Sequence, residues 1–103
     1  MLIYNVTSKV DHRVHAAWLK WMEDHFLPAK KATKLVASYQ LTRLVNVDDS
    51  QGPTYALLLS FNKRDDYKDY QVKYLKGFEK AVKEKWGDDV LSFASTLDVV
   101  IRG

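Results

Sequence analysis

Residues Leu35–Phe61 read LVASYQLTRLVNVDDSQGPTYALLLSF. Two extended runs flank one turn, and no helical spacing separates them. In the first run, Leu35, Ala37, Tyr39, Leu41, Arg43 and Val45 alternate with Val36, Ser38, Gln40, Thr42, Leu44 and Asn46. That period of two predicts a long strand from Leu35 to Val47. Asp48-Asp49-Ser50-Gln51-Gly52-Pro53 is a turn by composition. Thr54–Phe61 is the second strand, apolar on both sides, with Tyr55, Leu57, Leu59 and Phe61 set against Ala56 and Leu58. Two strands joined by a short polar turn predict a hairpin.

Helices are expected on either side of this hairpin. Upstream, Val14, Trp18, Trp21, Met22 and His25 fall on one arc at about 100° per residue. Leu19 and Phe26 widen the arc, and Arg13, Lys20, Glu23 and Asp24 lie opposite. Asp11 is the expected N-cap, and Pro28 should end or kink the helix near Leu27. Ala29 to Lys34 leads out through a further helical turn. Before this helix, Leu2 to Lys9 reads as a strand, with Leu2, Tyr4 and Val6 on one side and Ile3, Asn5 and Thr7 on the other. Downstream, Asn62 is the expected cap of a helix from Lys63 to about Trp86. Tyr67, Tyr70, Tyr74, Leu75, Phe78, Ala81, Val82 and Trp86 share its apolar face; Lys73, Lys76, Lys80 and Lys83 share the other. Gly87 is the C-cap candidate. Val90 to Arg102 is the last strand, with Leu91, Phe93, Leu97, Val99 and Ile101 expected to point inward. The order β-α-β-β-α-β over 103 residues predicts one α+β domain, residues 1–103, of the ferredoxin-like kind. Such a domain is an antiparallel four-stranded sheet with two helices on one face.

The bare face sets the next expectation. Strand Thr54–Phe61 is apolar on both sides, so its second side also needs cover, and a large exposed apolar sheet is rare on a monomer. A homodimer closed through the open sheet faces is the expected solution. The alternative is a monomer whose mixed face (Ser38, Gln40, Thr42, Thr96) stands in water. Apolar residues make up 47% of the chain and aromatics 13%, enough for a core without staples. Cysteine is absent, so disulfides and thiolate metal sites are excluded. Met1–Val6 lacks the basic stretch and long apolar run of a signal peptide. No segment approaches the roughly 18 apolar residues of a membrane span. A soluble, cytoplasmic protein that binds neither membrane nor nucleic acid is expected. The net charge of +3 is spread over alternating signs rather than gathered with aromatics on one surface.

No catalytic motif stands out. Four glycines leave no room for a phosphate-binding loop or a nucleophile elbow, and no cofactor is expected. His25 is the most suggestive residue, on the apolar arc beside Trp18 and Trp21. It is either a pocket-lining acid, base or ligand anchor, or a neutral core histidine bonded to a tyrosine or carbonyl. Trp18 and Trp21 either line a flat apolar site or are core. Tyr4, Tyr39 and Tyr55 can offer hydroxyls toward the helices. Arg43 either binds an anionic group or reaches solvent from the strand end. A small, partly apolar ligand near Trp21, His25, Tyr39 and Arg43 is the site these residues suggest. Asn5 points either into a cavity or across a dimer seam. His12 and His15 lie one turn apart, and His25 is about 15 Å further along by rise per residue, so the three cannot share a metal. Asp48-Asp49 and Asp65-Asp66 are explained by a turn and by a helix start.

Leu2-Ile3-Tyr4-Asn5-Val6-Thr7, Trp18-Leu19-Lys20-Trp21-Met22, His25-Phe26-Leu27-Pro28 and Gly52-Pro53-Thr54-Tyr55-Ala56 together resemble a bacterial family of short, stand-alone chains of unknown function. The likeness runs over essentially the whole chain, including the region of Gly87 and Phe93. It implies a ferredoxin-like fold of the dimeric α+β barrel kind and no particular activity. More widely, the chain is similar to cofactor-free monooxygenases and related small enzymes. Some of these carry an Asn on the first strand and a His and Trp on helices near the ligand, a set that Asn5, Trp21 and His25 resemble. That likeness implies a second reading, a cofactor-independent enzyme using His25 for proton transfer. A protein-interaction or structural module is the third.

Overall fold

The computed structural model describes residues 1–103. Its four strands are β1 (Leu2–Val10), β2 (Ser38–Arg43), β3 (Thr54–Phe61) and β4 (Val90–Asp98). They form one sheet in the order β2-β3-β1-β4, with every neighbouring pair antiparallel. The first helix occupies residues 15–32 between β1 and β2, and the second occupies 64–86 between β3 and β4. Each helix connects two parallel but non-adjacent strands. Right-handed crossovers of this kind bring both helices to one face. The ferredoxin-like expectation therefore holds, hairpin included.

The core lies between that face and the helices. Leu2, Tyr4 and Val10 of β1, Tyr55, Leu57, Leu59 and Phe61 of β3, and Val90 join Trp18, Met22, Phe26, Tyr67 and Tyr70 in one buried cluster. β3 is central and shows the alternation most clearly: its odd-numbered residues are buried and its even-numbered ones half-buried. β1 keeps the expected division, with Ile3, Asn5 and Thr7 on the outer face opposite Ser60, Leu58 and Ala56.

Several local expectations are corrected. β2 is shorter than the predicted Leu35–Val47. Left-handed backbone at Lys34 (φ 64°) and Asn46 (φ 59°) turns the chain at either end, so the alternation runs beyond the ladder. The first helix is not capped by Asp11; Val14 stands at the N-cap. Asp11 Oδ1 instead accepts the Arg13 backbone N–H at 2.8 Å, closing the turn that precedes the helix. Lys63, not Asn62, is the N-cap of the second helix. Gly87 is its C-cap, as expected.

Two corrections bear on the candidate site. Both helices contain a π-helical segment, Met22–Phe26 in the first and Gln71–Leu75 in the second. In each helix the π turn follows seven α-helical residues, His15–Trp21 and Arg64–Tyr70. A π turn widens the spiral and slips the phase of everything after it. Phe26 therefore takes the inward position predicted for His25, and His25 is exposed. On β4 the faces are reversed. Leu91, Phe93 and Leu97 pair with Lys9, Thr7 and Ile3 of β1, so they lie on the outer face. Val90 pairs with Val10 and turns toward the helices. Val99 and Ile101, also predicted to point inward from β4, lie beyond its end. No helix is long and apolar enough to cross a membrane.

Gly52 closes the hairpin against the end of β1. Its φ is +142°, and a Cβ built there would sit 1.8 Å from the Val10 carbonyl oxygen. Val10 N–H donates to Pro53 O at 2.9 Å on the same stretch. Gly77 has open space around it on the second helix. Gly52→Ala should therefore cost more than about 2 kcal/mol, from backbone strain and the clash, whereas Gly77→Ala should stabilise by roughly 0.5–1 kcal/mol. Urea titration of both variants checks the opposite signs.

Candidate functional site

The i+4 series Trp18, Met22, Phe26 and Lys30 runs down the first helix facing the sheet, and all four are buried. The π turn allows this. On an ideal helix of 3.6 residues per turn, an i+4 row drifts by about 40° per step. The second helix brings Phe78 and Val82 to the same space, and Tyr4 and Leu57 rise from the sheet. Between them is a cavity of about 510 Å³, open at one side along β4, where Ser92 and Ala94 face the helices without being covered.

Lys30 is the unusual group in its wall. The residue is only 3% exposed and forms no ion pair with a carboxylate. Its Nζ donates a short hydrogen bond to Tyr70 Oη. It lies 4.1 Å from the Phe78 ring centroid, 4.5 Å from Phe26 and 5.2 Å from Tyr70. Burial pushes the Lys30 ammonium down to about 7, with Glu79 pulling weakly the other way. Three ring faces offset part of the lost hydration, since cation–π contacts supply about 0.5–2 kcal/mol each at most. Burial raises Tyr70 strongly, with Tyr4 and Glu79 adding to it, so its phenol stays neutral. Tyr4 is raised for the same first reason.

Two further polar pairs lie along the sheet. Ser8 and Ser92 share a 2.7 Å hydrogen bond between hydroxyls on the cavity floor. His15 Nε2 and Tyr55 Oη are 2.7 Å apart. The Tyr55 ring also packs on Trp18, with centroids 5.0 Å apart. Burial lowers the His15 imidazolium first, and the positive charges of Arg43 and His12 add to it.

The structure does not bring Trp21, His25, Tyr39 and Arg43 together. Trp21 is half-buried outside the cavity, stacked on Phe26 at 4.6 Å and edge-on to Trp86 at 5.8 Å. His25 is exposed on the far side of the first helix. Tyr39 lies on edge strand β2, 39% exposed. Arg43 ends that strand and pairs with Asp49 in the turn at 3.1 Å. Trp18, expected as either core or ligand wall, is buried in the core and borders the cavity. Lys30 escapes prediction because lysine in a helix reads as solvated. The one signal for it is its place four residues after Phe26, on a stripe that only the π turn keeps straight.

A family model matches residues 1–100, that of the domain of unknown function DUF4286. The chain belongs to this family. No curated protein matches it. Among solved structures it is similar to a dimeric ferredoxin-like protein from an uncultured marine organism, at 11% identity and a TM-score of 0.73, covering 99% of this chain and 97% of that one. An ethyl tert-butyl ether (EthD) family protein from Bacillus halodurans gives 11% and 0.72, covering 97% and 100%. A putative antibiotic biosynthesis monooxygenase from Deinococcus radiodurans gives 15% and 0.62, covering all of both chains. At these identities the likeness is one of fold.

The lowered Lys30 value fixes a pH dependence. Below about pH 7 the amine is charged in both folded and unfolded chains, and the full cost of burying that charge opposes folding. Between pH 7 and 10 the unfolded chain holds the extra proton, so stability rises with pH. Lys30→Met removes the titration at similar volume. Relative to this variant, wild type should gain roughly 3 kcal/mol between pH 7 and pH 10, because each step of one in pH over that range contributes at most about 1.4 kcal/mol. Urea denaturation of both proteins across that range measures it; a constant gap would mean the amine is not desolvated.

Proposed function

We propose that this protein is a homodimeric binding domain that takes a small, partly apolar molecule into the cavity between its helices and sheet. The observation that carries this reading is the cavity itself. Its volume of about 510 Å³ falls in the ordinary range of ligand sites. Its walls are mainly aromatic and aliphatic, with a few polar groups (Lys30 and the Ser8–Ser92 pair) that can orient a bound molecule. The monooxygenase reading draws on likeness of fold, and its proton carrier, His25, stands outside the cavity. Binding is therefore favoured over chemistry at His25.

The homodimer follows from the outer sheet face. Leu91, Phe93 and Leu97 are 59%, 68% and 46% exposed there, beside half-buried Ile3 and Leu58. Asn5 Oδ1 is buried on that face and has no hydrogen-bond partner within the chain. A second sheet laid on the first would cover the apolar residues and could supply the missing donor. The solved neighbours described as dimeric ferredoxin-like proteins agree with this assembly.

Two measurements test the reading. Light scattering at about 10 µM should report a dimer, and Leu91→Asp with Phe93→Asp should report a monomer, since charges buried at an interface core are unfavourable. A monomeric wild type would sink the dimer. The neutral fluorophore N-phenyl-1-naphthylamine should bind saturably, and Val82→Trp, which fills the cavity, should weaken it at least about tenfold, the equivalent of 1.4 kcal/mol. Absence of saturable binding would sink the ligand site.

A further inference from the structure

We propose that Lys30 is a covalent carbonyl-capturing group, condensing through its Nζ with an aldehyde or ketone held in the helix–sheet cavity to form an imine. This rests on the ligand-binding reading above and narrows it to a class of molecule. The first support is position: the amine forms part of the cavity wall and is otherwise buried, so the cavity is its way to a reactant. The second is the absence of a carboxylate partner, which leaves no salt bridge to hold Lys30 permanently charged and unreactive. The third is the charge of the other lining groups. Glu79, Asp88 and Lys83, all three exposed, border the cavity. With Lys30 protonated the two acids and two lysines cancel, so the cavity offers no excess of positive charge to a carboxylate or phosphate ligand, and a neutral carbonyl compound needs none.

The chemistry needs no further reagent. The Nζ lone pair adds to the carbonyl carbon as the C=O π pair moves to oxygen. Both amine protons leave with that oxygen as water, and a C=N bond remains. No oxidant or reductant takes part. Free amine is needed for the attack, and the desolvation that lowers the Lys30 ammonium to about 7 supplies it at neutral pH. If the imine takes up a proton, the faces of Phe26 and Phe78 stand where they already flank the ammonium, and they stabilise the cation. Tyr70 Oη, neutral and fixed beside Nζ, orients the nitrogen.

The test uses the full-length wild-type chain at pH 7 with benzaldehyde as the probe. Sodium cyanoborohydride reduces any iminium to a stable benzylamine, and peptide mapping by mass spectrometry locates it. Lys30 should be labelled roughly tenfold or more above any exposed lysine, because ordinary ammonium groups near 10.4 hold less than about one part in a thousand as free amine at that pH. Labelling of Lys30 no greater than that of Lys31 or Lys83 would overturn the proposal. N-phenyl-1-naphthylamine separates the two readings. Saturable probe binding without a Lys30 adduct overturns carbonyl capture and leaves the ligand site standing. Failure of the probe to bind removes both.

Discussion

The phase of the first helix is the constraint on which the rest depends. Trp18, Met22, Phe26 and Lys30 must all face the sheet, and an unbroken α-helix would rotate such a row away from it. The π segment at Met22–Phe26 cancels the drift. It thereby commits one lysine to the interior and returns one histidine to water. The second helix carries the same irregularity at the same distance from its start. The two β-α-β halves thus match in a backbone detail although their sequences do not repeat. Both π turns flank the cavity, as expected if the helices are shaped to leave room rather than to close on the sheet.

The architecture was legible in the sequence because it rests on periodicity. β3 matches its predicted span residue for residue, and most of the predicted apolar face of the second helix packs on the core (Tyr67, Tyr70, Leu75, Phe78, Val82 and Trp86), while Tyr74 is exposed. The strand ends were less legible. Lys34 and Asn46 take left-handed backbone; asparagine is prone to it, but lysine gives no such signal. β4 shows a deeper difficulty. Alternation says that one side of a strand is apolar; it does not say which layer that side meets. Leu91, Phe93 and Leu97 alternate as an inward set would, yet pairing with β1 sends them to the open face. Only the register decides, and register is a property of two strands together.

The site was less legible still. His25 lies on the apolar arc of an ideal helix, and a single π turn moves it to solvent. Lys30 is hidden for the converse reason. A charged residue near a proline and a second lysine looks like a helix end facing water. The cage of Phe26, Tyr70 and Phe78 is assembled from two helices far apart in sequence. The cost of burying an ammonium is set by those distant neighbours, so local pattern cannot register it. Tyr55 offers its hydroxyl toward the helices, as its strand position predicts, and the group it meets there is His15.

The indoles of this chain have a spectroscopic consequence. Trp18 is almost wholly enclosed, and Trp21 and Trp86 are half-buried against each other. None of the three is freely hydrated, so no solvent-exposed chromophore dominates the ultraviolet emission. Trp18 touches the cavity directly, and Trp21 reaches it through Phe26. A molecule entering that cavity would therefore alter the tryptophan emission, readable without any attached dye.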